Sequence, residues 1–201
     1  MTSSSDISAL ILAGGKASRF NGQDKGLVEL QGSTMITQVI QALKPQVNTI
    51  LISANRNVES YKTYGYPVVR DQLFDLDKLQ GPLAGILQGM RKATTPWLLL
   101  SPCDTPFIQA NYCQKMIAAL NSHTNKIAVA VHQGKLQPLF SLMPITFQQS
   151  LEKSLNDKNY KVGQWIKSMP HIEVDFLASK MFTNINTPDE LTLATDINKN
   201  S

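Results

Sequence analysis

The chain has few of the residues that build metal clusters or disulfide frameworks, with 2 cysteines and 3 histidines among its 201 residues. Cys103 and Cys113 lack the spacing of a structural zinc site, and His123, His132 and His171 form no cluster with them. Neither a zinc module nor a His-activated cysteine nucleophile is expected, and a reduced, cytoplasmic protein is the plain reading. Long hydrophobic runs are missing too. The apolar segment from Ile7 to Ala13 is too short to span a bilayer, and no basic region precedes it, so it reads as a buried strand and no membrane partner is expected. Charge is sparse, at 17% of residues with a net +4, and the Lys and Arg residues are scattered rather than blocked, so nucleic acid is not implied. No Gly-Lys-Ser/Thr triplet makes a Walker A loop, and no third glycine follows at the dinucleotide-binding spacing.

What is present is a hydrophobic fraction of 42%, enough for one domain over residues 1–201. Short β-branched or Leu-rich runs alternate with longer amphipathic stretches, an order that predicts an α/β fold with a mostly parallel sheet. Strands are expected at 7–13, 49–53, 67–69 and 97–101. Helices are expected from Ser33 or Thr34 to Pro45, over 58–64, from Gly81 through Met90, and over 108–120. After Asn121 the pattern changes to two strands, 127–131 and 139–142, separated by a loop over 132–138, so a mixed portion is expected. Helices over 145–154 and 162–168, a last strand over 182–185 and a helix capped by Thr187 complete the reading. Trp97 and Trp165 fall in apolar patterns and are read as core.

The chemistry concentrates after the first strand. Leu12-Ala13-Gly14-Gly15 ends a buried strand in paired glycines, which let backbone N–H groups approach phosphate oxygens, and Arg19 and Lys25 follow as cations. A tight turn flanked by solvated basic residues would read the same way. Asp104 stands where the 97–101 strand leaves the carboxyl edge of the sheet, the ligand-binding edge of open α/β folds. There a carboxylate either holds Mg²⁺ against phosphates or caps the following helix. Gly81-Pro82-Leu83-Ala84-Gly85 is either a helix N-terminus presented to a nucleotide or a proline-started helix whose glycines permit close packing. Asn184 and Asn186 flank Ile185, so both amides would share one face of a strand, unless they only shape a turn.

The run Leu12-Ala13-Gly14-Gly15 with Arg19 and Lys25 resembles the signature loop of nucleotidyltransferases that transfer a nucleoside monophosphate and release pyrophosphate. More narrowly, the chain is similar to the molybdenum cofactor guanylyltransferases. That match rests on Asp24-Lys25-Gly26-Leu27, Ser53-Ala54-Asn55-Arg56, Gly81 to Gly85, Pro102-Cys103-Asp104-Thr105-Pro106 and Asn184 to Leu191. These segments lie in matching order from residue 7 to 191. Phe20-Asn21 stands where members commonly have Met-Gly, and Ser53 where they often carry Asn.

The resemblance implies a single-domain Rossmann-like nucleotidyltransferase fold, with a mixed, mostly parallel sheet flanked by helices. A nucleotide-binding part over about 7–110 and an acceptor-binding part over about 111–195 are expected. GMP would pass from GTP to the terminal phosphate of molybdopterin-bound molybdenum cofactor, with Mg²⁺ on Asp104, and Asn186 as a further metal contact. Lys25, Arg19 and Asp104 would be catalytic. Leu12, Ala13, Gly14, Gly15, Lys25, Ser53, Asn55, Asp71, Gly81, Pro82, Gly85 and Asp104 would contact the nucleotide. A carboxylate such as Asp71 suits guanine, whose N1 and N2 are donors, although ribose is an equal partner for it.

Asn184 and Asn186 are acceptor candidates, with the 132–138 loop and 161–165 as the wider acceptor region, where His132 and Lys135 could equally be solvated. A monomer is expected, which hands its product to cofactor-delivery proteins and apo-molybdoenzymes. The rivals are a cytidylyltransferase or sugar-phosphate nucleotidyltransferase on the same loop, and a non-catalytic nucleotide-binding cofactor chaperone.

Overall fold

A computed structural model of the chain describes residues 2–13, 24–71, 81–177 and 180–185. Nine strands are described: β1 Ile7–Leu12, β2 Glu29–Leu30, β3 Ser33–Thr34, β4 Thr49–Ser53, β5 Val68–Val69, β6 Trp97–Pro102, β7 Ile127–His132, β8 Lys135–Pro144 and β9 His171–Asp175. Six helices accompany them: α1 Met35–Leu43, α2 Val58–Lys62, α3 Gly81–Lys92, α4 Tyr112–Leu120, α5 Gln148–Asn156 and α6 Val162–Ser168. Seven strands form one sheet in the order β5-β4-β1-β6-β8-β7-β9, and only β8 runs against the rest. This is the predicted mixed, mostly parallel α/β architecture.

The sheet is covered on both faces, which explains why its central strands read as continuous apolar runs. In β1, Ile7, Ala9 and Ile11 point into one core with residues of α1, α2 and α4, whereas Leu10 points into the other with α3, α5 and α6. Helix α1 forms because Met35, Ile36, Val39, Ile40 and Leu43 recur on one buried face, and Thr34 caps it by accepting from the Thr37 N–H at 3.4 Å. Pro45, just past its end, matches the predicted stop. Trp97 and Trp165 are buried as expected.

Several expectations need correction. The 132–138 segment is not a loop: Gln133 and Gly134 take left-handed φ values of 50° and 71° and close a tight hairpin, so β8 already begins at Lys135. His132 is half-buried, stacked on Phe182 with centroids 4.9 Å apart, its Nδ1 3.0 Å from the Phe176 carbonyl oxygen. Residues 182–185 are no strand; a 3-10 turn spans Lys180–Phe182, and the Ile185 N–H goes to the Asp104 carbonyl at 3.0 Å. The last sheet strand is instead β9, at the edge beside β7. Helix α4 starts only at Tyr112, with 105–109 irregular before it. The expected Thr187-capped helix lies outside the described residues.

Candidate active site at the carboxyl rim

Strands β1, β4, β5 and β6 are parallel, so their carboxyl ends share one rim, and Leu12, Ser53 and Asp104, among the described site candidates, lie at those ends. Leu12 and Ala13 sit at its centre. The Ala13 N–H donates to the Ser53 carbonyl at 2.8 Å, and the Cys103 N–H donates to the Leu12 carbonyl at 3.1 Å. The end of β1 is thereby stitched to β4 on one side and to the turn carrying Asp104 on the other. Gly14, Gly15 and Arg19 lie outside the described residues, as does Asn186.

On the β6 side, Lys25 Nζ donates to Asp104 Oδ2 at 3.0 Å, and the two side chains are 20% and 16% exposed. They are distant in sequence and meet because two turns are packed together. Gly26 has so little room that an added methyl would lie 3.3 Å from Cys103 Sγ and 2.6 Å from Tyr61 Oη. Asp104 does not cap a helix, since α4 begins at Tyr112, and the Thr105 hydroxyl instead donates to the Pro102 carbonyl at 3.1 Å. The backbone bond from Ile185 to Asp104 brings exposed Asn184 to this side of the rim. Cys103 is a buried thiol, pushed well up by burial first and then by Asp104 and Asp24, with Lys25 acting in the opposite direction. It is a small buried side chain, as expected.

On the β4 side, Asn55 grips Asp71 twice. Its Nδ2 donates to Asp71 Oδ2 at 2.7 Å, and its Oδ1 accepts the Asp71 N–H at 2.9 Å. Asp71 Oδ1 is buried and without a hydrogen-bond partner among the described residues. Burial raises this carboxyl above its ordinary value, while the Asn55 amide pulls it down. A methyl on Gly85, at the start of α3, would lie 3.3 Å from that same Oδ1 and would collide with Ser53 Oγ. The glycine therefore lets the helix start approach Ser53 and Asp71 closely. Gly81, with φ of 60°, opens the helix, and Pro82 follows it.

The two wider acceptor segments also meet. A methyl on Gly163, in the first turn of α6, would lie 3.2 Å from Pro138 Cγ, and one on Gly81 would lie 3.4 Å from the Tyr160 carbonyl oxygen. Residues 160–163 are thereby wedged between a bulge of β8 and the start of α3, whereas His132 faces an aromatic cluster with Phe182, Phe140 and Phe176.

Sequence reasoning missed Asp24, Asn57 and Tyr61 as a group. Asp24 is 8% exposed and accepts from Gly26 N–H at 3.3 Å, Asn57 Nδ2 at 3.2 Å and Tyr61 Oη at 2.6 Å. Its place beside Lys25 in the Asp-Lys-Gly-Leu run was the available signal. Burial, the neighbouring Cys103 and the bond to Asp24 push the Tyr61 phenol far above its ordinary value, so it stays a donor.

An ion pair, a helix start opened by glycine and a half-satisfied carboxylate that calls for a hydrogen-bond donor stand along the ligand-binding edge of the sheet. A family model described as a MobA-like NTP transferase domain matches residues 9–172. The chain belongs to the MobA-like NTP transferase family. It is similar to a molybdenum cofactor guanylyltransferase from Cupriavidus metallidurans, at 39% identity over 95% of each chain. One of the same name from Polynucleobacter asymbioticus is 40% identical, covering 95% of this chain and 96% of that one. Among solved structures, molybdopterin-guanine dinucleotide biosynthesis protein A from Archaeoglobus fulgidus superposes with a TM-score of 0.76, at 20% identity over 96% of this chain and all of that one. At that identity the last comparison speaks for the fold. Among the described residues, no helix of this MobA-like chain is long and apolar enough to cross a membrane.

Proposed function

We propose that the chain transfers GMP from GTP to the terminal phosphate of molybdopterin-bound molybdenum cofactor. A phosphate oxygen of the acceptor attacks the α-phosphorus of GTP, a new P–O bond forms, the bond to the β-phosphate oxygen breaks, and pyrophosphate leaves. The observation that carries the reading is the Lys25–Asp104 pair at 3.0 Å on the carboxyl rim, in a chain whose relatives bear the guanylyltransferase name across nearly their whole length.

Asp104 fits Mg²⁺, because that ion is usually held by one or two carboxylates together with substrate phosphates rather than by an all-protein cage. Asp104 is a single, partly exposed carboxylate on the β6 side of the rim, paired with Lys25, a donor of that form. When bound, the ion would neutralise the charge developing on the α-phosphate and the leaving group. Lys25 would leave its contact with Asp104 for the triphosphate, with Arg19 as a second cation and the Gly14 and Gly15 amides as phosphate donors. The acceptor phosphate is already anionic, so no general base is needed. What these residues contribute is alignment and charge.

Asp71 is assigned to guanine. Its unpartnered Oδ1 is buried beside Gly85, and guanine N1–H and N2–H₂ would satisfy it. Ser53, Asn55, Gly81 and Pro82 complete the nucleoside side of a part spanning about 7–110. The acceptor would lie toward Asn184, Asn186 and the 160–163 wedge, within 111–195. We further propose a cytoplasmic monomer that passes its product to cofactor-delivery proteins and apo-molybdoenzymes.

Titration with GTP, CTP, UTP and ATP, followed by pyrophosphate release on mixing GTP, Mg²⁺ and molybdenum cofactor, tests the reading. Preference for CTP would overturn the guanylyl assignment. GTP binding without pyrophosphate release would overturn catalysis and favour a cofactor chaperone.

A further inference from the structure

Asp24 is not among the groups assigned above to GTP, yet its carboxylate collects three donors. They come from Gly26, Asn57 and Tyr61. Tyr61 is the buried residue of α2, with no exposed surface of its own. The space this leaves is narrow, since a methyl on Gly26 would meet Tyr61 Oη on one side and Cys103 Sγ on the other. The turn carrying Lys25 is thus gripped between α2 and the residue that immediately precedes Asp104.

We propose that Asp24, clamped by Tyr61 and Asn57, is a positioning residue that holds the Lys25 turn against Asp104, so that the ammonium is already aimed when the triphosphate enters. The proposal rests on the reading of Lys25 as the cation that meets GTP. A lysine has a long stem with many rotamers, and ordering it during the reaction would weaken its effect on the rate. Charge-assisted bonds to a buried carboxylate are strong enough to fix the turn beforehand, and a charge fixed beforehand stabilises a transition state without further reorganisation. Asp24 itself touches no reacting atom. It acts through the backbone of the next two residues.

The test is a double-mutant cycle on pyrophosphate release with the full chain, using Tyr61→Phe, Lys25→Met and the two combined. Tyr61→Phe keeps the ring and removes one donor to Asp24. It is expected to lower kcat about ten-fold while leaving the KM for GTP nearly unchanged. In the Lys25→Met background the same change should have no further effect, because nothing remains to be aimed. A merely structural role would give the same factor in both backgrounds and would overturn the proposal. So would an unaltered kcat for Tyr61→Phe beside a slow Lys25→Met protein. A Lys25→Met protein that turns over at the wild-type rate would remove the reading of Lys25 and the proposal with it. Should Tyr61→Phe fold poorly, Asp24→Asn, which preserves shape and removes the charge, must show the same dependence on Lys25.

Discussion

Asp24 and Asp71 both bond to the short turn after β4, and their surroundings differ in one decisive way. Asp24 is nearly buried and receives donors from three residues on two elements. Asp71 has one oxygen held by Asn55 and the other buried with no partner among the described residues. A buried acceptor left unsatisfied destabilises the protein that carries it, whereas a satisfied one stabilises. On the proposed function, the contrast separates a carboxylate that shapes the phosphate end from one that would take a ligand donor at the nucleoside end.

The largest effect should come from neither of them but from Asp104. Asp104→Ala is expected to lower pyrophosphate release about a thousand-fold while thermal unfolding stays cooperative, because Asp104 sits on a turn at the rim and fills no core. Loss of cooperative unfolding would make Asp104 a second Asp24 and break the comparison.

Next, Asp71→Asn should weaken GTP binding about ten- to a hundred-fold, the range for hydrogen bonds to a charged group, and narrow the preference for GTP over ATP in calorimetry. Its effect on the fold has the opposite sign. Burial raises the Asp71 carboxyl above 3.8, so the folded protein holds that proton more tightly than the unfolded chain. The resulting stability is fully present below 3.8 and is lost as pH rises through the raised value. The Tm of Asp71→Asn should accordingly gain on the wild type across that window and hold its advantage above it. A Tm difference that stays flat with pH would show that Asp71 is not strained at all.

Asp24→Ala should do the reverse, lowering stability by about 1–3 kcal/mol as buried donors lose their acceptor, measured by urea unfolding. At the nucleoside end, Gly85→Ala should cost about 1–3 kcal/mol by overpacking, because its methyl would enter the space of Ser53 Oγ. Adding Ser53→Ala should recover part of that loss. If Gly85→Ala is neutral, the close approach of α3 to Asp71 is not enforced.

These opposed roles could not be read from the sequence, although much of the frame could. The strands ending in Leu12, Ser53 and Pro102 were legible because burial on both faces demands continuous apolar runs. Their shared direction then placed Leu12, Ser53 and Asp104 at one rim. The edge strand β9 was missed, since His171, Glu173 and Asp175 interrupt its apolar residues and it pairs on one side only, with β7. The apolar residues at 182–185 suggested a strand, but Ile185 serves a small cluster with Leu30 and Met35 instead. Asp24 and Tyr61 meet across 37 positions of chain, and no local pattern encodes such a contact. Asp71 was legible through the family resemblance alone, as a carboxylate of the nucleotide pocket facing base or ribose. Its unsatisfied oxygen is a property of the packing around Gly85 and Asn55.

The smallest effect bears on whether the two ends act together. One short turn after β4 supplies both, with Asn55 bonded to Asp71 and Asn57 bonded to Asp24. Asn57 adopts a left-handed φ of 49°, a conformation asparagine tolerates better than most residues, so the turn is specified rather than loose. A turn that is rigid between these residues should transmit a change at one end to the other. Asn55→Ala and Asn57→Ala, measured singly and together on kcat/KM for GTP, should then deviate from additivity by about 0.5 kcal/mol or more. Strict additivity would mean that nucleoside recognition and phosphate alignment are independent devices joined only by the chain. Coupling would mean that seating guanine on Asp71 tightens the grip on Lys25, so that the wrong base lowers the rate as well as the affinity.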